Sequence, residues 1–164
     1  MSARDVPGVP ADARVQAADA AVPVDAGLFS WPADPRLIGS ACAACGTTAF
    51  PGQPSCPRCT GTDVRVVPLG TTGRLWTWTV QAFEPKPPYV ADGPFEPYGV
   101  GYVELAAPDG CDAVLVESRL TESDPDRLAI GAQMTLTFIP AWRDAEGRQV
   151  VTFAFAPVPQ TPAQ

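Results

Sequence analysis

The chain of 164 residues contains no histidine. That removes the commonest general base, the usual activator of a Ser or Cys nucleophile, and every imidazole metal ligand. Any metal site must be built from thiolates and carboxylates. Positive charge is also scarce. Lys and Arg total 11 against 18 acidic residues, and the formal net charge is −7. Nucleic-acid binders gather Lys and Arg to neutralise phosphates, so this balance argues against DNA or RNA and against an anionic membrane surface. No stretch approaches the roughly 20 apolar residues of a membrane span, and the start "MSARDVPGVPADARVQ" has no apolar leader core. The expectation is a cytoplasmic protein. In a reducing compartment structural disulfides are rare, so paired cysteines need another explanation.

Four of the five cysteines fall in "CAACGTTAFPGQPSCPRC", residues 42–59. The pattern is C-x2-C, ten residues, C-x2-C. Two intervening residues let a tight turn aim both thiolates at one ion. Gly46 after the first pair permits the positive φ of such a knuckle, and Pro57 stiffens the second. The segment between them can form a short hairpin that brings the knuckles face to face. Four thiolates from Cys42, Cys45, Cys56 and Cys59 suit a closed, structural Zn2+ site, one ion per chain. Similar knuckles hold iron in rubredoxin-like sites. Such an ion stabilises a ribbon too small to bury a core alone. Cys111 stands apart. It reads as a loop or strand-end cysteine rather than a nucleophile, because no histidine exists to activate it.

Residues 1–26 read as a flexible arm, with a short helix possible in "ADARVQAADAA". Leu28, Phe29 and Trp31 are apolar anchors of a lead-in segment, and residues 36–41 read as a short strand entering Cys42. Residues 27–68 form the ribbon with its lead-in, ending in a strand-like linker, "TGTDVRVVPLG". Residues 69–158 then show five strand patterns: "GRLWTWTVQAF", "YGVGYVELA", "DAVLVESRL", "MTLTFIPAW" and "RQVVTFAFAPV". Met134, Leu136 and Phe138 share one face of the fourth. The turn "APDG" precedes the third, and "RDAEG" joins the last two. Between the third and fourth, Ser123 or Asp124 can cap a single helical turn that Gly131 ends. Five strands with a short helical turn in that place fit an OB-fold barrel. Residues 159–164 read as a tail. The expected fold is mainly β: a rubredoxin-like zinc ribbon followed by a five-stranded OB-fold barrel.

A cysteine ribbon leading directly into such a barrel resembles the DUF35 family of acyl-CoA-associated proteins. The stretches that carry the resemblance are "RLIGSACAACGTTAFPGQPSCPRCTG", "GRLWTWTV", "FEPYGVGYVEL" and "DRLAIGAQMTLTF". It implies an accessory subunit with a thiolase-like partner: a thiolase, a lipid-transfer-protein-type aldolase of steroid side-chain degradation, or an acyltransferase. The catalytic groups and most acyl-CoA contacts would belong to that partner, in a hetero-oligomer. Some relatives carry a fused hot-dog hydratase domain. This chain has no room for one, so a stand-alone version is expected. The alternative is a zinc-ribbon and OB-fold nucleic-acid-binding protein, which the charge opposes.

The fourteen-residue connection "EPKPPYVADGPFEP" between the first two barrel strands contains five prolines. It is too long for a hairpin turn. With the resemblance it reads as a stiff docking arm or acyl-CoA channel wall, carried by Lys86, Pro88, Tyr89, Phe95 and Tyr98. Lys86, the chain's single lysine, could meet a CoA phosphate or a partner carboxylate, or simply be solvated. Trp76 and Trp78, two apart, are expected on one strand face, packing the core or an interface rather than stacking bases. Glu104 reads as a solvent- or partner-facing carboxylate.

Overall fold

The computed structural model describes residues 21–88 and 94–159. The possible helix in residues 11–21 lies almost wholly outside them, as does the tail beyond Pro159. Nine strands and one 3-10 turn make up the described fold. A two-residue strand, β1 (Val22–Pro23), precedes the ribbon. The ribbon is an antiparallel sheet of β2 (Ile38–Cys42), β3 (Thr48–Ala49) and β4 (Val64–Pro68), in the order β3-β2-β4. The barrel follows as β5 (Thr72–Gln81), β6 (Tyr98–Leu105), β7 (Val114–Leu120), β8 (Gln133–Arg143) and β9 (Gln149–Pro157).

Alternation writes the inward and outward faces directly. Along β6, Gly99, Gly101, Val103 and Leu105 are buried, while Tyr102 and Glu104 are exposed. β5, β6 and β7 form an antiparallel meander. β8 pairs with β5 through Thr72↔Thr135 and with β9 along its whole length. The barrel closes where β7 runs parallel to β9, at Arg119↔Ala154 and Leu120↔Phe155. This is the five-stranded OB arrangement. Asp124 caps the expected turn, Pro125–Arg127, by accepting from the Asp126 amide. The turn ends at Leu128, and Gly131 (φ 86°) instead reverses the chain into β8.

Four expectations need correction. Residues 21–26, read as part of a loose arm, belong to the fold. Val22 and Pro23 pair in parallel with Val150 and Val151, and the Trp31 Nε1 donates to the Ala21 carbonyl at 3.0 Å. "TGTDVRVVPLG" is no linker, because β4 pairs with β2 from Ile38↔Pro68 to Cys42↔Val64. The expected hairpin between the knuckles is not self-contained either: Thr48 and Ala49 pair with Ala41 and Ser40 of β2, ahead of the first knuckle. Finally, Trp76 and Trp78 do not share a face. The pairing steps from Leu75↔Val103 to Thr77↔Tyr102, leaving Trp76 as the extra residue of a bulge. A bulge breaks the period of two. Trp78 therefore follows Leu75 inward and packs against the core, while Trp76 stays 56% exposed.

Ribbon and barrel share one core. Leu37, Ala41 and Val67 of the ribbon are buried in the same cluster as Leu69, Leu75, Val103, Leu105, Val116, Met134 and Phe155. An aromatic chain joins the three parts. Phe29 and Trp31 of the lead-in lie 4.9 and 5.2 Å from Phe138, and Phe50 of the ribbon lies 5.5 Å from Phe153. β1 also occupies the open edge of β9. That edge is taken by β7 at residues 154–155 and by β1 at residues 150–151.

Candidate metal centre and partner-facing surface

The two C-x2-C turns are built alike. In each, the amide four residues after the first cysteine donates back to that cysteine's carbonyl: Gly46 to Cys42 at 3.0 Å and Thr60 to Cys56 at 2.9 Å. Both donors are left-handed, Gly46 at φ 73° and Thr60 at φ 60°. The glycine signal was legible in the sequence. Its counterpart was not, because a β-branched residue rarely takes that conformation. The turns bring the four sulfurs of Cys42, Cys45, Cys56 and Cys59 within 4.8 Å of one another. Cys42 to Cys59 and Cys45 to Cys56 are both 3.6 Å. A tetrahedron with metal–sulfur bonds of about 2.3 Å has edges near 3.8 Å, so the set fits a four-coordinate ion. Cys42 and Cys56 are buried, Cys45 is half-buried and Cys59 is exposed.

The local electrostatics favour thiolates unevenly. The Thr47 hydroxyl, 3.4 Å from Cys45 Sγ, and the Thr47 amide hold that thiol down to about 6. The Cys59 amide lowers Cys56. At Cys59 the Gly61 amide pulls downward, but the crowded sulfurs of Cys42, Cys56 and Cys45 outweigh it and push the thiol up to about 11. Four sulfurs this close cannot all ionise without a cation among them. That is the chemistry of a closed thiolate metal site.

The barrel braces this cluster through the β6–β7 loop. Asp112 donates its amide to the Gly46 carbonyl at 2.9 Å and pairs with Arg58 at 3.4 Å, while Asp109 pairs with Arg65 at 2.9 Å. Cys111 sits half-buried in this loop, outside the four-sulfur cluster, with Arg65 Nη2 at 3.9 Å from its sulfur.

In the proline-rich connection Lys86 and Pro88 are exposed, and so is Phe83 just before it, at 73%. Tyr89 lies outside the described residues. Phe95 is half-buried, edge-on to Tyr98 at 6.1 Å. Tyr98 carries the Arg119 guanidinium over its ring at 3.9 Å. Phe95 and Tyr98 thus come together with Arg119, which carries no sequence signal that singles it out. Strand register sets this pairing: Arg119 stands opposite Val100, two residues along β6 from Tyr98. Tyr102 and Glu117 face each other on the same outer surface, the Tyr102 hydroxyl donating at 2.9 Å. This hydrogen bond and the Glu117 charge raise the Tyr102 phenol above its ordinary range. Glu104 is exposed, as expected, opposite Arg74. A groove of about 610 Å3 runs from this surface to Phe50 and Pro51 of the ribbon.

Two family descriptions match the chain: "ChsH2, rubredoxin-like zinc ribbon domain" over residues 32–65 and "ChsH2, C-terminal OB-fold domain" over residues 66–138. Among solved structures, a chain of the Ltp2-ChsH2(DUF35) aldolase is 32% identical with a TM-score of 0.53, over 74% of this chain and 84% of that one. The chain belongs to the DUF35 family. A DUF35 domain-containing scaffold protein of Methanocaldococcus jannaschii is 27% identical over 73% of this chain and 78% of its own length. Benzoylsuccinyl-CoA thiolase subunit BbsA of Thauera aromatica is 35% identical over 48% of this chain and 52% of its own. A probable enoyl-CoA hydratase alpha subunit of Thermomonospora curvata is 30% identical over 65% of this chain. This DUF35 chain spans 30% of the length of that hydratase subunit. No helix among the described residues is long and apolar enough to cross a membrane.

Proposed function

We propose that this DUF35 chain is a non-catalytic accessory subunit of a thiolase-superfamily enzyme acting on acyl-CoA thioesters. The observation that carries the reading is the 32% identity to the Ltp2-ChsH2(DUF35) aldolase chain, 84% of which is covered. The thiolase relative is matched over only 52% of its length, so the aldolase form is favoured. In that form the complex performs a retro-aldol cleavage of a bulky acyl-CoA, with steroid side chains the leading class. The partner subunit supplies the catalytic groups, and the two chains form a hetero-oligomer in the cytoplasm. One Zn2+ held by Cys42, Cys45, Cys56 and Cys59 keeps the ribbon folded and takes no part in catalysis. The proline-rich connection docks on the partner beside the acyl-CoA channel through Lys86, Pro88, Tyr89, Phe95 and Tyr98. Prolines restrict the unbound ensemble, and aromatic side chains give contact area with few rotors.

The test is co-expression with each thiolase-superfamily subunit encoded in the same genome. One of them should co-elute with this chain as a stable complex. That complex should cleave a steroid-side-chain β-hydroxyacyl-CoA, while the isolated chain should not. Preference for the β-ketoacyl-CoA plus free CoA would instead assign thiolytic chemistry. Turnover by the isolated chain, or no complex with any such subunit, would refute the reading. The Tyr89→Ala/Phe95→Ala double variant should lose the complex while keeping its metal.

A further inference from the structure

The 610 Å3 groove lies where ribbon and barrel meet. Its walls are apolar: Phe50 and Pro51 on the ribbon side, Leu115 and Phe153 on the barrel side. Its floor carries Tyr98 and Arg119, outward residues of β6 and β7. Fold topology creates it. Among the described strands, β7 reaches β9 only at Arg119 and Leu120, and Leu115 and Glu117 ahead of that contact line the groove with Phe50 and Pro51 of the ribbon.

Arg119 is the unusual group. Arg36, Arg58, Arg65, Arg127 and Arg148 each have a carboxylate within 4.0 Å. Arg74, Arg119 and Arg143 have none among the described residues, and of these three only Arg119 has a buried N–H without a partner. Its Nε is buried without an acceptor, and its guanidinium is held over Tyr98. A buried, unpaired N–H is a cost that an arriving acceptor relieves. A guanidinium presents a fork of donors that matches a carboxylate.

We infer that this groove receives a segment of the partner subunit in which a carboxylate, from an Asp or Glu side chain or a chain terminus, pairs with Arg119 and adjacent apolar residues lie against Phe50, Pro51 and Leu115. A polyanion is disfavoured, because Glu117 lines the same groove. The inference rests on the accessory-subunit reading and extends its interface. Tyr98 belongs both to this floor and to the docking connection, through Phe95. The contact surface thus runs from the proline-rich loop across the outer face of the barrel to the ribbon.

The experiment uses the full-length, metal-loaded chain and the thiolase-superfamily subunit that co-elutes with it. Affinity is measured for wild type, Arg119→Gln and Leu115→Glu. Removing one half of a desolvated charge pair should weaken binding about thirty-fold or more for Arg119→Gln, and flatten its dependence on salt. Leu115 is 39% exposed, so Leu115→Glu should fold normally and still bind poorly, because it brings negative charge beside the partner's carboxylate. Metal content and the thermal transition verify folding of both. Wild-type affinity in both variants, with the Tyr89→Ala/Phe95→Ala variant defective, would overturn the groove inference and leave the accessory reading standing. Failure of the wild-type chain to bind any such subunit would overturn both. Deletion of residues 1–20 that unmasks β6–β7 amides to hydrogen exchange in the isolated chain would show the groove already filled by its own N-terminus, and would also overturn it.

Discussion

Phe29→Ala tests whether the lead-in is part of the core or an ornament on it. Phe29 is 1% exposed, and its ring lies 4.9 Å from Phe138, 6.3 Å from Phe153 and 6.4 Å from Trp31. Truncating a buried Phe costs about 3–5 kcal/mol, the transfer term plus the cavity left behind. Three aromatic neighbours lose an edge or tilted contact, which places the expected cost near 4 kcal/mol. At roughly 3 °C per kcal/mol for a chain of this size, Tm should fall by about 12 °C. Trp76→Ala is the control: its side chain is 56% exposed on a bulge, and the cost should stay within about 0.5 kcal/mol. The assay is thermal unfolding of metal-loaded protein by calorimetry, with urea unfolding as a second measure. Because Phe50 joins the same aromatic chain through Phe153, ribbon and barrel should melt in one transition. A loss below about 1.5 kcal/mol for Phe29→Ala, or two separate transitions in wild type, would refute the shared-core account.

Four further outcomes are expected. Cys56→Ser should reduce bound zinc, read by metal analysis, and lower the melting transition, whereas Cys111→Ser should leave metal content unchanged. Thr60→Gly should stabilise the metal-loaded chain by about 0.5–1 kcal/mol in urea unfolding, since relief of a left-handed β-branched residue exceeds the added unfolded-state entropy. Gly99→Ala should cost about 3 kcal/mol or reduce soluble yield, because the new Cβ would run into the Glu122 carbonyl oxygen. Tyr102 should titrate above the ordinary tyrosine value in an ultraviolet absorbance titration, and Glu117→Gln should bring it back toward that value. The sign follows from a folded pKa above the unfolded 10.0: the contribution is intact below that pH and is lost as pH rises through the folded value.

The sequence by itself determined the local elements and the set of four cysteines that converge. Two C-x2-C pairs can converge on one ion whatever surrounds them, because the turn geometry is set within five residues. Alternation of apolar and polar residues marked all five barrel strands to within a residue or two, because a half-buried strand must repeat every two residues. The missing histidines and the net charge of −7 narrowed the chemistry before any fold was known. What needed tertiary structure were the features set by pairing between distant segments. A bulge in β5 cannot be seen in its composition, and it alone separates Trp76 from Trp78. β1 is two residues long and carries no period, so only the vacant edge of β9 makes it a strand. β4 became a ribbon strand because β2 offered a second edge. Arg119 became a candidate site residue through register with β6, closure of the barrel at β9, and a ribbon wall more than sixty residues away in the chain. Local chemistry is encoded locally; a groove between two modules exists only once their shared core has formed.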